Sequence, residues 1–286
     1  MIDLRLGRCQ DALADVTPDI CITDPPYSAH VHANTTSCGT PGSRASGAMK
    51  GAAHRDLGFD HLSEEMMAWT CSLVARTRRW SVIFTDTESV GAWRDGINAA
   101  GGKYIRAIPW IRWSMPNLAG LPPQGHEMVV LAWGSQGGKK SWNGPGNLTH
   151  FAHTCMRGAG KHKAQKPLDL MLDLVEYFSD AVSDVQHHDK EGTLIACPGE
   201  LICDPFMGSG TTAMACAALG RNFVGCEQDE VWFERAKHRG GGLEAMYDDE
   251  ERYAKYEVAS AARQEDMKRM AANTARIVAN RAAQEA

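Results

Sequence analysis

Apolar and polar positions change period repeatedly along the chain. IDLRLG (2–7) alternates, the period-two pattern of a strand with one buried face. DICITD (19–24) is an apolar run closed by an acid and predicts a buried strand. LSEEMMAWTCSLVAR (62–76) has apolar residues at helical spacing behind a capping box, with Ser63 followed by Met66 in place of the usual Glu. WSVIFTD (80–86) predicts a strand, and the helix after it runs through Ala100 to stop at Gly101-Gly102. KYIRAIPWIRW (103–113) and HEMVVLAWG (126–134) predict two more strands with no helical segment between them, so the two are expected to be antiparallel. A helix begins at Pro167 (PLDLMLDLVEYFSDAV), then LICDPFMG, TTAMACAALG, NFVGCEQD and VWFERAKHR alternate strand, helix, strand, helix. The expected fold is α/β: a doubly wound, mostly parallel sheet with an antiparallel hairpin strand, spanning 1–240. Past Gly240-Gly241-Gly242 the composition turns to Ala, Glu, Arg and Met. Met267, Met270, Thr274, Ile277 and Val278 then share one helical face. The 241–286 tail is expected to be helical, packed on the domain, packed on a second copy in a homodimer, or fraying at the surface.

Charge changes that picture more by its distribution than by its sum. The net charge of −5 does not advertise a nucleic-acid binder. Yet no acid occurs between Glu127 and Asp169, a window holding Lys139, Lys140, Arg157, Lys161, Lys163 and Lys166. A second acid-free window runs from Ser28 to Arg55 and holds Arg44 and Lys50. Two long basic, loop-like stretches favour an anionic partner. The Ser/Gly/Thr/His-rich 28–60 segment is expected to be a mobile functional loop, since loops of that length are usually one or the other. Nine scattered cysteines without a CxxC pair fit a reducing cytosol and make zinc an unattractive reading; no metal is expected. No apolar run approaches the ~20 residues that span a bilayer, and the N-terminus lacks a secretory pattern.

TDPPYSAH (23–30) raises the chemical question. Neither proline nitrogen carries a hydrogen, so the strand stops at Asp24, and the two prolines freeze the backbone beyond it. Asp24 offers carboxylate oxygens and a nearby carbonyl offers another acceptor. Two fixed acceptors suit an NH2 group, and Tyr27 adds a flat face. The segment reads as a clamp for an exocyclic amino group on an aromatic base, against the plain alternative of a strand end and a Pro-rich turn. DPFMGSGTT (204–212) joins a strand to a helix through Gly208 and Gly210, where backbone can approach a ligand and the helix start favours an anion. A phosphate cradle would need Lys after the last glycine, and Thr211 stands there. The next strand ends in Glu227, where doubly wound folds hydrogen-bond ribose hydroxyls. A ribose without phosphate, joined to an amino-acid carboxylate, describes S-adenosylmethionine.

With both motifs in hand, the chain resembles the amino-group DNA methyltransferases that act on N6 of adenine or N4 of cytosine. DPPY at 24–27 matches that family's catalytic motif, DPFMGSGTT at 204–212 its cofactor loop, and QKP at 165–167 the segment lining the methionine end of the cofactor. DPPY before the cofactor loop looks like the permuted beta arrangement. The resemblance implies a class I S-adenosylmethionine-dependent, Rossmann-like fold. It implies Asp24, Pro25, Pro26 and Tyr27 as catalytic: Asp24 and a proline carbonyl accept the two amino hydrogens, and Tyr27 stacks on a base flipped from double-stranded DNA. It implies Lys166, Pro167, Asp204, Phe206, Gly208, Ser209, Gly210, Thr211, Thr212 and Glu227 around the cofactor. The 135–165 window lies where a target-recognition segment is expected, so Arg44, Lys50, Lys139, Lys140, Arg157, Lys161 and Lys163 become candidate DNA contacts. Trp133 and Trp142 are expected in the core, and the histidines of that window as phosphate contacts or loop residues. Two positions depart from the family: its first strand often ends Gly-Asp where this chain has Gly7-Arg8, and His-Pro often opens the QKP segment where this chain has His162-Lys163.

The leading expectation is an adenine-N6 DNA methyltransferase, because the cytosine-N4 members more often carry Ser in place of Asp24. Cytosine N4 is the alternative, RNA a third substrate, and a non-catalytic S-adenosylmethionine- and nucleic-acid-binding protein the alternative of another class. No membrane partner is expected. A bacterial or phage enzyme in the cytoplasm, associated with the nucleoid and with a restriction-modification system, fits the resemblance.

Overall fold

A computed structural model describes residues 1–27, 61–112, 125–136, 142–153, 165–180, 187–188, 194–195 and 199–240. The expectations for the 28–60 loop and the 241–286 tail fall outside these residues, as do Arg44, Lys50, Lys139, Lys140, Arg157, Lys161 and Lys163.

The strands in chain order are β1 (Ile2–Leu6), β2 (Ile20–Thr23), β3 (Trp80–Thr85), β4 (Lys103–Arg112), β5 (His126–Trp133), β6 (Phe151–His153), β7 (His187–His188), β8 (Leu194–Ile195), β9 (Leu201–Asp204) and β10 (Asn222–Glu227). The helices are α1 (Cys9–Ala12), α2 (Glu64–Arg76), α3 (Val90–Ala99), α4 (Leu168–Phe178), α5 (Thr211–Ala218) and α6 (Glu230–Gly240). Among the described residues eight strands form one sheet in the order β1-β10-β9-β2-β3-β5-β4-β6, and β7 pairs with β8. β1, β10, β9, β2 and β3 are parallel, while β5 runs antiparallel to both β3 and β4, the second of these pairings being the one expected from the lack of a helical sequence pattern between the two strands. This is the Rossmann-like architecture expected, with one addition: β6, inside the basic window, adds a parallel edge strand beside β4.

Alternation along the strands explains why both faces carry helices. Ile20, Ile22, Val82, Phe84, Val129, Leu131, Ile202 and Phe223 face α4 and α5 in one apolar layer. Their neighbours in sequence turn the other way: Cys21, Cys203, Val224 and Cys226 pack with α1 and Leu73 of α2, and Ile83, Val130 and Ala132 with α2 and α3. With both faces covered, near-continuous apolar runs are what the central strands require. The six described cysteines are buried, free thiols of this packing. Ser63 accepts from Met66 N at 3.1 Å, so the incomplete capping box still works as a cap worth about 1 kcal/mol. No described helix is long and apolar enough to cross a membrane.

The topology decides where chemistry can occur. β2 and β9, far apart in sequence, are parallel neighbours in the middle of the sheet. Asp24, Asp204, Glu227 and Gly7 therefore leave the same carboxyl edge. Because β5 is reversed, its first residues, His126 and Glu127, come to that edge too, beside the end of β4 at Arg112.

Candidate functional site

At the carboxyl edge of β2 the chain breaks at Pro25-Pro26, and the Tyr27 carbonyl is fixed by Leu62 N at 3.1 Å. Asp24 Oδ2 accepts from Lys166 Nζ at 2.6 Å. Asp24 Oδ1 is out of contact with solvent and has no hydrogen-bond partner among the described residues. Tyr27 donates its hydroxyl hydrogen to Glu127 Oε2 and accepts from Lys166 Nζ at 3.2 Å. Glu127 is in turn paired with Arg112 Nη1 at 2.6 Å and lies 3.2 Å from Lys166 Nζ. The Lys166 ammonium also sits over the rings of Phe84 and Trp110, 4.8 and 5.8 Å from their centroids. Burial raises the Asp24 carboxyl, and the Lys166 charge opposes that rise. Burial also pushes Glu127 up, but Lys166 and Arg112 outweigh it and hold it below the usual range. For Lys166, burial pulls down and Asp24 with Glu127 pull further up, so the ammonium stays protonated. Burial and the Glu127 charge together drive the Tyr27 phenol well above its ordinary value, so it remains a donor.

The glycine turn adjoins this clamp. Gly208 (φ +51°) and Gly210 (φ +79°) both adopt the left-handed conformation. A Cβ at Gly208 would meet nothing within 4 Å, so open space lies where a ligand would approach. Gly208 N donates to Glu227 Oε2 at 3.0 Å, which ties the loop to the end of β10, and burial raises the Glu227 carboxyl. Ser209 is buried between Gln165 and Arg239, with Oγ 3.4 Å from Gln165 Oε1 and 2.7 Å from Arg239 Nη1. Gln165 therefore touches the glycine loop while Lys166, the next residue, touches Asp24. The QKP segment spans the gap between the two motifs.

The structure brings DPPY, QKP and the glycine loop together but sorts their residues differently from the sequence expectation. Lys166 is engaged by the clamp carboxylates. Asp204 is buried: Oδ1 accepts from Thr23 Oγ1 at 2.9 Å and from Phe206 N at 3.1 Å, and Oδ2 accepts from Thr212 Oγ1 at 2.6 Å. Asp204 and Thr212 thus brace the loop from behind. Thr211 is buried, and Pro167 caps α4 with φ −59°. Phe206, Gly208 and Glu227 are the ones left partly open. His153 corrects the expectation for its window: it is buried on β6 and bonded to Asp173 at 3.0 Å, because β6 draws it into the sheet. Trp133 packs edge-on against Trp80 as a core residue, whereas Trp142 lies edge-on against Phe178 but is exposed, so the core expectation holds for Trp133 and not for Trp142. Arg8, in place of the family's acid, is exposed at the start of α1, next to Gly7, whose N–H donates to Glu227 O at 2.9 Å. Sequence reasoning missed Glu127 and Arg112. An acid opening an otherwise apolar strand, HEMVVLAW, was the available signal.

Asp204 gives a stability test. Burial pushes its carboxyl up to about 6 from 3.8. The folded state then holds the proton more tightly than the unfolded chain. The stabilisation is complete below about pH 4 and is lost as pH rises through about 6, a change on the order of 3 kcal/mol. Asp204→Asn should flatten melting temperature against pH between about 4 and 7. An unchanged slope in that variant would contradict the assignment.

Comparison with known proteins agrees with the architecture. Residues 132–238 match the family model N6_N4_Mtase, described as DNA methylase. An 80-residue segment is 39% identical to the type II methyltransferase M2.MboI of Moraxella bovis, covering 28% of this chain and 23% of that enzyme. The match thus spans about a quarter of the relative's length. Among solved structures, the M1.HpyAVI–SAM complex superposes with a TM-score of 0.58 at 23% identity, over 84% of this chain and all of the other. The cytosine-N4-specific PvuII DNA methyltransferase superposes with a TM-score of 0.54 at 11% identity, over 82% of this chain and 85% of its own. At these identities the superpositions establish a shared fold.

Proposed function

We propose that the chain, whose residues 132–238 match the N6_N4_Mtase family model, transfers a methyl group from S-adenosylmethionine to an exocyclic amino nitrogen of a DNA base, with adenine N6 as the preferred target. The single observation that carries the reading is Asp24 Oδ1: a buried carboxylate oxygen without a hydrogen-bond partner among the described residues, fixed by two prolines beside a glycine turn that is open among those same residues. A buried acceptor left unpaired is costly, and an amino hydrogen of a substrate would satisfy it.

The residues present fit the cofactor. Gly208 leaves room for close approach, Glu227 stands at the strand end suited to ribose hydroxyls, and Phe206 is half-buried beside them. When bound, S-adenosylmethionine supplies an electrophilic methyl group. The chain's own part is orientation and charge. Asp24 Oδ1 accepts one amino N–H, a Pro25 or Pro26 carbonyl accepts the other, and the Tyr27 ring supports the base. An amino group held this way keeps its lone pair in one direction, which is where most of the rate enhancement would come from. Paired bases hide that nitrogen in the stack, so the target base must be flipped out. The order of motifs, DPPY before the glycine loop, is read as the permuted arrangement, with 1–240 catalytic and 241–286 a helical tail. The type II relative from Moraxella bovis supports a bacterial enzyme, and its action in the cytoplasm on the nucleoid is part of the same proposal.

Unmethylated DNA incubated with labelled cofactor and digested to nucleosides tests this. Label in N6-methyladenine is the expected result. Label only in N4-methylcytosine would overturn the base assignment and keep the mechanism; no label in DNA or RNA, with cofactor still bound, would leave a binding protein. DNA binding by the 135–165 window has its own test. Neutralising Lys139, Lys140, Arg157 and Lys161 together should flatten the log–log salt dependence of DNA affinity by roughly 0.9 for each phosphate no longer neutralised. An unchanged slope would remove these residues from the interface.

A further inference from the structure

Four charged side chains from four segments meet at the carboxyl edge of the sheet. Arg112 ends β4, Glu127 lies near the start of β5, Lys166 precedes α4 and Asp24 follows β2. Their side chains are 21%, 11%, 9% and 23% exposed, too little for water to balance each charge separately. They are balanced in a row instead. Arg112 Nη1 meets Glu127 Oε1 at 2.6 Å, Glu127 Oε2 lies 3.2 Å from Lys166 Nζ, and Lys166 Nζ meets Asp24 Oδ2 at 2.6 Å. The row ends on Asp24 Oδ1, which has no hydrogen-bond partner among the described residues.

An ammonium has three hydrogens. Asp24, Tyr27 and Glu127 supply three acceptor atoms within 3.2 Å, which leaves none for a cofactor carboxylate. Lys166 alone against Asp24 would also cancel the charge the clamp needs, since positive charge develops on an amino nitrogen as it gains a methyl group. Glu127 restores the sign. Two carboxylates around one ammonium leave a net negative centre beside Oδ1, and the compensating Arg112 sits on the far side of Glu127.

Resting on the methyltransferase reading above, we propose that Lys166 and Glu127 are positioning residues for Asp24: Lys166 fixes the carboxylate by Oδ2 so that Oδ1 faces the amino group, and Glu127 offsets the Lys166 charge so that Oδ1 remains an effective anion. Arg112 and the Tyr27 hydroxyl hold Glu127 in place.

The acidic limb of the kcat/KM pH profile reads this arrangement. Lys166→Met should move the limb to higher pH, because Asp24 loses its cation, and lower kcat about a hundredfold. Glu127→Gln should move it to lower pH, because Asp24 loses a nearby negative charge, and also lower kcat. Among the described residues a further titratable neighbour is Asp204, whose oxygens are hydrogen-bonded by Thr23, Thr212 and Phe206 rather than by Lys166. A limb belonging to Asp204 would stay where it is in both variants. Cofactor affinity, measured calorimetrically, should stay within a few-fold of the parent for Lys166→Met. Limbs that do not move, or that move the same way in both variants, would overturn the proposal, as would a Lys166→Met protein that has lost the cofactor while remaining folded. Each variant is an independent test, so a Glu127→Gln protein that fails to fold leaves the Lys166→Met shift to decide. Absence of methyl transfer by the parent protein would instead overturn the reading on which the proposal rests.

Discussion

Asp24→Ala should lower kcat for methyl transfer by about 10³-fold or more while cofactor affinity stays within a few-fold of the parent. The asymmetry follows from what Asp24 touches. Among the described residues its carboxylate accepts a hydrogen bond from Lys166 through one oxygen and none through the other, and neither oxygen is hydrogen-bonded to the glycine turn. Removing it leaves Lys166 to Glu127, 3.2 Å away, so the loss should not propagate into the fold. Asp24→Asn separates charge from shape. Lys166 only donates, so the amide would turn its oxygen to Lys166 and its NH2 toward the substrate amino group, donor against donor. The amide variant should therefore be nearly as inactive as the alanine one. Single-turnover labelling with both variants at saturating cofactor measures this. An Asn variant keeping more than about a tenth of parental kcat would mean that the Asp24 charge is not what the reaction uses.

The parts of the fold legible in the sequence are those set by local rules. The shift from period two to helical spacing, the prolines at 25 and 26 and the glycines at 101, 208 and 210 mark where elements start and stop, and the lack of a helical sequence pattern between 113 and 126 predicts the reversed strand. β6 was not legible. Three residues in a Gly-rich basic stretch carry no period, and only pairing with Trp110, Ile111 and Arg112 makes them a strand. The same limit explains His153, which looks like a loop histidine until β6 brings it to Asp173.

The candidate site divides along the same line. DPPY and DPFMGSGTT stand out because their backbones are chemically unusual, and each announces a turn at a strand end. Which side chains then face one another is a property of the sheet order. Thr23 and Asp204 lie 181 positions apart and are 2.9 Å apart in space because β2 and β9 are neighbours. Lys166 and Asp24 meet across 142 positions because α4, which Lys166 leads into, packs on the face of the sheet that holds Ile20 and Ile22 of β2. Glu127 reaches the clamp only because β5 is antiparallel, which turns the beginning of a strand toward an edge where the parallel strands end. Periodicity predicts that reversal but not its consequence for the charge at Asp24.

The cofactor side of the site yields the second large effect, through three glycines that share a backbone conformation and differ in surroundings. Gly208, Gly210 and Gly220 have φ of +51°, +79° and +64°. An L side chain in that conformation costs roughly 1–2 kcal/mol wherever it stands. At Gly220, behind α5, a Cβ meets nothing within 4 Å, so Gly220→Ala should lower stability by about that amount and leave cofactor affinity alone. At Gly208 the space is equally open, but it opens in the turn tied to Glu227, so Gly208→Ala should add a selective loss of affinity to the same stability cost. At Gly210 the added carbon would stand 3.0 Å from Ala236 Cβ and 3.1 Å from Ala236 Cα, pressing the turn against α6. Strain and overpacking together should cost about 2 to 4 kcal/mol in stability. Because the turn can relieve that pressure only by moving, affinity should fall about a hundredfold, equivalent to about 2.8 kcal/mol. Thermal melting and calorimetric titration with S-adenosylmethionine on the three variants separate these terms. The Gly220 variant fixes the conformational cost, the difference between Gly208 and Gly220 isolates the ligand's share, and the difference between Gly210 and Gly208 isolates packing on Ala236. Equal affinity losses at Gly220 and Gly208 would mean that the glycine turn is not where the cofactor binds.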